Sequence, residues 1–344
     1  MAALSPPVAA VRVAVRRALV ALSTDRPVLV ACSGGPDSLA LAAAVAFVAP
    51  RLGLRAGLIT VDHGLQSGSA RVAEEVRRWA VGAGFAPVEV IPVRVAGRLG
   101  GPEAAAREAR YEALLAAAHR LTASAVLLGH TRDDQAETVL LALARGAGPK
   151  GLSGMPSVRT VDGVDLVRPL LDVSREQTRK ACAASGLSPW DDPHNADPSY
   201  ARVRVRSEVL PALADVLGPR VVDNLARTAK LIAADTAALD ALAGQALEHA
   251  RTGDRGLSVA VLAGLLPALR TRVLHAWALE LGAPGGALSQ RHVAALDALI
   301  TEWHGQGPVH LPTGIEVSRT GDRLRATDPP HPLDHGVVVG DERG

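Results

Sequence analysis

The chain has 344 residues, 48% of them hydrophobic and 21% charged, which supplies a folded core and argues against disorder as its main state. A formal net charge of +2 excludes a polycation of the DNA-packaging kind; the longest uncharged apolar stretch, 38–50, is shorter than the roughly 20 residues a membrane-spanning helix needs. Two cysteines, Cys32 and Cys182, write neither a disulfide framework nor a cysteine metal site, so a reducing, cytoplasmic compartment and no membrane are expected.

At the N-terminus, Arg12, Arg16 and Arg17 interleave with Val8, Val11, Val15 and Leu19, the pattern of an amphipathic helix and not of a signal peptide. Short apolar runs then alternate with helical stretches. Strands are predicted at 27–32, 54–61, 88–93, 125–128 and 164–167. Helices are predicted at 38–48, 69–81, 102–121, 131–144 and 174–185. This alternation predicts an α/β fold with a doubly wound, parallel, five-stranded sheet and helices on both faces. Ligands of such sheets lie beyond the carboxyl ends of the strands, so the segments after the first, second and fourth strands are where chemistry is sought.

The pattern changes after Gly186. Turn chemistry at 189–195 marks a domain boundary, giving a first domain over 1–188. A mainly helical second domain follows over 189–327, with helices at 200–217, 219–249, 259–281 and 289–303 and a terminal β-hairpin between 309 and 324. The tail 328–344 carries three prolines and a net charge of −3 and is expected to be disordered. Residues 202–230 hold six basic side chains against three acidic ones, a modest phosphate-seeking patch whose plainer reading is a solvated helix face. With aromatics at 2%, a base-stacking sheet is not expected.

The first strand runs into Ser33-Gly34-Gly35-Pro36-Asp37-Ser38, and a helix starts at once. Adjacent glycines let backbone N–H groups approach an oxyanion, Ser33 and Ser38 offer hydroxyls, and the helix N-terminus adds partial positive charge. Asp37 is the wrong sign for a bare anion; it makes sense if Mg²⁺ bridges it to phosphate oxygens. A capped strand-to-helix turn explains the glycines but not the whole set. The stretch Gly146 to Gly151 matches G-x-G-x-x-G but follows a helix and contains Pro149, so it fails the context a dinucleotide site requires.

After the second strand stands Asp62-His63-Gly64, with His63 at the ligand edge. In the third helix of the sheet region, Arg107 and Arg110 share a face, either as partners of surface acids such as Glu103 or as a pair aimed at phosphate or carboxylate. After the fourth strand come His130, Asp133, Asp134 and Glu137. Thr131 with Asp134 resembles a capping box, which accounts for one acid or two. Three acids plus a histidine at the sheet edge suggest handling of a cation, Mg²⁺ or an amine.

The segment Ser33 to Ser38 resembles the pyrophosphate loop of the N-type ATP pyrophosphatases, or PP-loop superfamily, whose fold is adenine nucleotide alpha hydrolase-like. The segments above, followed in order by Arg145 to Met155, Arg168-Pro169-Leu170-Leu171, Asp192 to Asn195 and Tyr200 to Arg206, are similar to the tRNA(Ile)-lysidine synthase family. The match runs across about 26–215 and more weakly to 327. The resemblance implies a ligase that modifies the wobble cytidine of tRNA(Ile) bearing the CAU anticodon. The carbon-2 oxygen attacks the α-phosphorus of ATP, pyrophosphate leaves, and the ε-amine of free L-lysine displaces AMP. Decoding thereby changes from AUG to AUA.

It also implies roles. Ser33, Gly34, Gly35, Pro36, Asp37, Ser38 and His63 would bind ATP, with Asp37 holding Mg²⁺. Asp37, Asp133, Asp134 and Arg110 would be catalytic. Arg107, His130, Glu137, Arg202, Arg204 and Arg206 would bind lysine or tRNA. The expected partners are tRNA(Ile) and free L-lysine, with a homodimer among the assemblies allowed. Two positions depart from the family pattern, His194 in place of Ser and Val203 in place of Asn. The rival readings are a sulfur-transferring PP-loop tRNA enzyme, disfavoured by the absence of C-x-x-C, and a non-catalytic ATP-binding regulator, which would have lost the acidic and arginine sets.

Overall fold

A computed structural model describes residues 5–22, 25–64, 68–94, 102–193, 197–253 and 255–327, without the side chains of 102–104. The expectations for Glu103, His194 and the tail 328–344 therefore lie outside the described residues. The first compact unit spans Met1–Ala233. Its sheet has the strands β1 (Val28–Ala31), β2 (Ala56–Asp62), β3 (Val88–Pro92), β4 (Ala125–Leu127), β5 (Val158–Val161) and β6 (Val164–Val167), in the order β3-β2-β1-β4-β6-β5. β1 is parallel to both neighbours, with Val28 opposite Ala56 on one side and Ala125 on the other. Val28, Leu29 and Val30 are fully buried, as a central parallel strand covered on both faces requires.

The sheet has six strands rather than the expected five. The extra strand, β5, pairs antiparallel with β6 at the edge. Its sequence Val-Arg-Thr-Val is largely exposed, so it lacks the apolar run that marks the buried strands. Among the helices, α1 (Pro6–Leu19), α2 (Pro36–Val48) and α7 (Arg175–Ala184) pack together. Val8, Val11, Val15 and Leu19 form the buried stripe of α1, and α2 is apolar on nearly every side because it has cover all round. The remaining helices of the sheet region are α3 (Ser69–Gly82), α4 (Pro102–Arg120), α5 (Arg132–Ala144) and the single turn α6 (Pro149–Leu152).

Next come α8 (Ala201–Arg204), a π-helical turn at Val205–Val209 and α9 (Leu210–Leu217). Pro211 has no N–H and its ring crowds the turn before it; the wider π turn relieves that clash. The expected domain change at 188/189 and the division at 233/234 differ because the helical run after 200 is tied by its arginines to α5 of the sheet region.

The division falls inside α10 (Val221–Ala250). The second unit, from Ala234, contains α11 (Val259–Ala263), α12 (Pro267–Glu280) and α13 (Gln290–Thr301). Its four-stranded sheet joins β7 (Gly256–Ser258), β8 (Val309–His310), β9 (Glu316–Thr320) and β10 (Arg323–Thr327) in the order β7-β10-β9-β8. The expected hairpin is thus part of a larger antiparallel sheet. The single helix expected at 259–281 is two, because Pro267 starts a new helix at its first turn. Leu257, Leu262, Val273, Trp277, Leu299 and Val317 belong to this unit's core, and the buried Arg270 is neutralised by Asp297 at 2.6 Å.

Candidate active site

The strand order reverses beside β1: the chain passes from β1 to β2 on one side and reaches β4 on the other. That switch point is where an open α/β sheet leaves a crevice, and a cleft of about 480 Å³ opens there. Its wall includes Ser33, Gly35, Pro36, Asp37 and Ser38 from the turn after β1. His63 follows β2, Arg107 and Arg110 come from α4, His130 and Asp134 from the end of β4 and start of α5, and Arg202 and Arg206 from the helical run beyond 200. Segments scattered over more than 170 positions of chain therefore meet in one place.

The turn after β1 is held by its own hydroxyls. Ser38 Oγ donates to the Gly35 carbonyl at 3.0 Å and accepts from Ser33 N at 3.2 Å. Gly34 has φ +85°, and a Cβ there would meet Val72 and Val76 at 3.1 and 3.2 Å, so both conformation and space call for glycine. Its carbonyl accepts from Trp190 N at 3.0 Å. Gly34 thus serves the turn, while Gly35 lines the cleft. Gly129 after β4 allows a second close approach: a Cβ would lie 3.0 Å from the Ser38 backbone. That contact sets His130 and α5 against the loop.

Asp37 sits in the first turn of α2. Thr178 of α7 donates to its Oδ1, and Arg175 Nε lies 3.7 Å from Oδ2. Burial, with added repulsion from Asp134 and Asp133, pushes its carboxyl up to about 6. A carboxyl group on the cleft wall beside Ser33, Gly35 and Ser38, with two further acids near it, fits a site that takes a cation. Among the described residues no group of three His, Cys, Asp or Glu stands ready for a metal, but Mg²⁺ carried on phosphates needs only one or two carboxylates.

The acids of α5 have distinct surroundings. Asp134 is buried and accepts from Thr131 N at 2.7 Å and Thr131 Oγ1 at 2.9 Å. The capping box and the site residue are therefore the same carboxylate. Arg175 and the Thr131 amide hold it below the usual range against the cost of burial. Asp133 accepts from the backbone N–H of Arg175 at 2.8 Å, capping α7. Glu137 has a side chain with 0% exposure. It accepts from Arg206 Nε at 2.8 Å and Arg175 Nη2 at 3.1 Å, and Arg202 Nε lies 3.2 Å from it. Neither Asp133 nor Glu137 lines the cleft.

Arg202 and Arg206 turn inward onto Glu137, whereas Arg204 points out and donates to the carbonyls of Pro198 and Ser199. Arg110 Nε donates to His63 Nε2 at 3.3 Å. Accepting there makes the neutral His63 carry its proton on Nδ1, and that atom is buried without a partner, as is His130 Nδ1. Burial lowers both imidazoles to about 4. Arg107 lies over the Tyr111 ring, 5.3 Å from its centroid. Val203, where the resemblance led to an expected Asn, is buried on the cleft wall.

Arg175, Thr178 and Trp190 are site residues that motif reading missed. Arg175 had one signal: a basic residue at the first position of a helix opposes the helix dipole.

Residues 10–213 match the PP-loop domain family, an ATP-binding class, and 257–325 match the TilS substrate binding domain. The fold agrees with that class: the tRNA thiolase of Methanococcus maripaludis superposes with a TM-score of 0.54 at 17% identity, covering 66% of this chain and 80% of the thiolase. The tRNA(Ile)-lysidine synthase of Salinispora tropica is 68% identical over 96% of this chain and 99% of its own length. That of Streptomyces coelicolor is 58% identical over 88% and 86%. The chain belongs to the tRNA(Ile)-lysidine synthase family. No helix among the described residues is long and apolar enough to cross a membrane.

Proposed function

We propose that this chain ligates free L-lysine to carbon-2 of the wobble cytidine of tRNA(Ile), consuming ATP in the cleft beside β1. The observation that carries the reading is the convergence of the β1 turn, the histidine after β2, the α4 arginines and the α5 acid on one cleft. The carbon-2 oxygen attacks the α-phosphorus of ATP, forming a P–O bond and releasing pyrophosphate. The lysine ε-amine then attacks carbon-2, and AMP departs with that oxygen.

Ser33, Gly35 and Ser38, which line the cleft, would hold the leaving pyrophosphate, with Gly34 shaping the turn. Asp37 would hold Mg²⁺, which supplies charge neutralisation on the phosphates when bound. Asp134 is the α5 acid on the wall. Its depressed pKa makes it a good ligand for an ammonium and a poor base for one whose own pKa is near 10.4. Glu137 serves through the arginines it orders. Arg107 and Arg110 face the cleft as ligands for a carboxylate or phosphate, and His63, on the same wall, would sit against the nucleotide while its Nε2 accepts from Arg110. The proposed compartment is the cytoplasm, where ATP, tRNA and free lysine meet, and the proposed assembly is a homodimer, which sedimentation tests.

The test is mass analysis of tRNA digests after incubation with ATP, Mg²⁺ and lysine. A cytidine heavier by lysine less one water supports the reading; unmodified cytidine with ATP consumed overturns it.

A further inference from the structure

Arg175 gathers carboxylates that arrive on two other helices. Its backbone N–H donates to Asp133 Oδ2 at 2.8 Å, and its Nη2 donates to Asp134 Oδ1 at 3.0 Å and Glu137 Oε1 at 3.1 Å. Its Nε stands 3.7 Å from Asp37 Oδ2, and Thr178, one turn on, donates to the other oxygen of Asp37. The first turn of α7 therefore touches every acid assigned to the site, on α2 and on α5. The guanidinium is mostly buried, with 17% of the side chain exposed. Local preference does not explain an arginine at this helix position, whereas carboxylates crowded at low exposure demand a cation.

We propose that Arg175 is a positioning residue for the ligation: one guanidinium fork fixes Asp37 at the pyrophosphate loop and Asp134 at the lysine side in a single relative geometry. The proposal rests on the ligase reading of the cleft. A planar fork can span carboxylates on both sides at once; the point charge of a lysine cannot. Lysine at this position should therefore keep charge balance while losing the alignment.

The experiment compares the full-length wild type with Arg175→Lys and Arg175→Gln. Thermal midpoints are read beside steady-state ligation in which ATP, lysine and tRNA are varied in turn. The expected result is folded protein, with kcat down about tenfold in Arg175→Lys and about a hundredfold in Arg175→Gln, since misplacement of about 1 Å carries a penalty of that order. Each KM should move less than about threefold. Should Arg175→Gln fail to fold, Arg175→Lys decides alone. The proposal is overturned by a kcat within about threefold of wild type in a folded Arg175→Lys, or by a raised KM for lysine at unchanged kcat, which would make Arg175 a substrate ligand. Failure of both variants to fold also overturns it, because the role is then structural. Failure of the ligase reading looks different: the wild type itself makes no lysidine.

Discussion

Glu137 holds guanidiniums from Arg175, Arg202 and Arg206 around a carboxylate with no exposure. Glu137→Gln keeps the shape and removes the charge, leaving buried cations under-paired. We expect a stability loss of about 3 kcal/mol, read as a lowered denaturant midpoint; a midpoint unchanged from wild type would mean the arginines find other partners. In sequence Glu137 stands one turn after Asp133 and reads as a third cation ligand. Its arginine partners lie 38 to 69 positions away, and pairing at that range leaves no local pattern. Gly34 is legible as a turn former between strand and helix, the plainer of the two readings of the glycine pair. Gly34→Ala combines a strained positive φ with contacts on Val72 and Val76; a cost of about 1–3 kcal/mol is expected, together with loss of pyrophosphate release. His130 carries a pH dependence. Burial holds its imidazole at about 4, against about 6.5 for an ordinary histidine. Between those values the unfolded chain binds a proton the folded one refuses, so stability falls as pH drops through that window. The denaturant midpoint should drop less between about pH 7 and pH 5 in His130→Asn than in wild type.

At the scale of elements, α7 is the piece whose register matters most. Ser174 caps it: its hydroxyl accepts from Gln177 N at 3.1 Å, and Gln177 Oε1 accepts from Ser174 N at 2.9 Å. Ser174→Ala should cost about 1 kcal/mol and also lower ligation activity, because the first turn carries Arg175 and Thr178. Stability lost with kcat retained would detach the cap from the site. Buried strands and capped helices were readable because β1, β2 and β4 are apolar runs between turn residues. The edge strand β5 was not, since an exposed antiparallel partner carries no burial signal. The break at Pro267 was visible in sequence but lost within a longer apolar periodicity.

For the whole molecule, a net charge of +2 leaves tRNA affinity to local clusters. Arg202 and Arg206 line the cleft while bound to Glu137, and Arg204 is exposed. Even a few phosphate contacts release counterions, so tRNA affinity should fall at least about tenfold between about 50 and 200 mM salt; a flat response would remove these arginines from the RNA interface. Family membership was legible because its segments recur in order along most of the chain. What they build was not, since convergence on one cleft is a property of the strand order β3-β2-β1-β4.

In the proposed ligation, ATP activates an RNA base in that cleft before lysine enters. ATP–pyrophosphate exchange measured with lysine withheld tests this directly. Exchange that needs the tRNA and is lost in Asp37→Ala is the predicted result. Exchange without tRNA, or undiminished in Asp37→Ala, would contradict it.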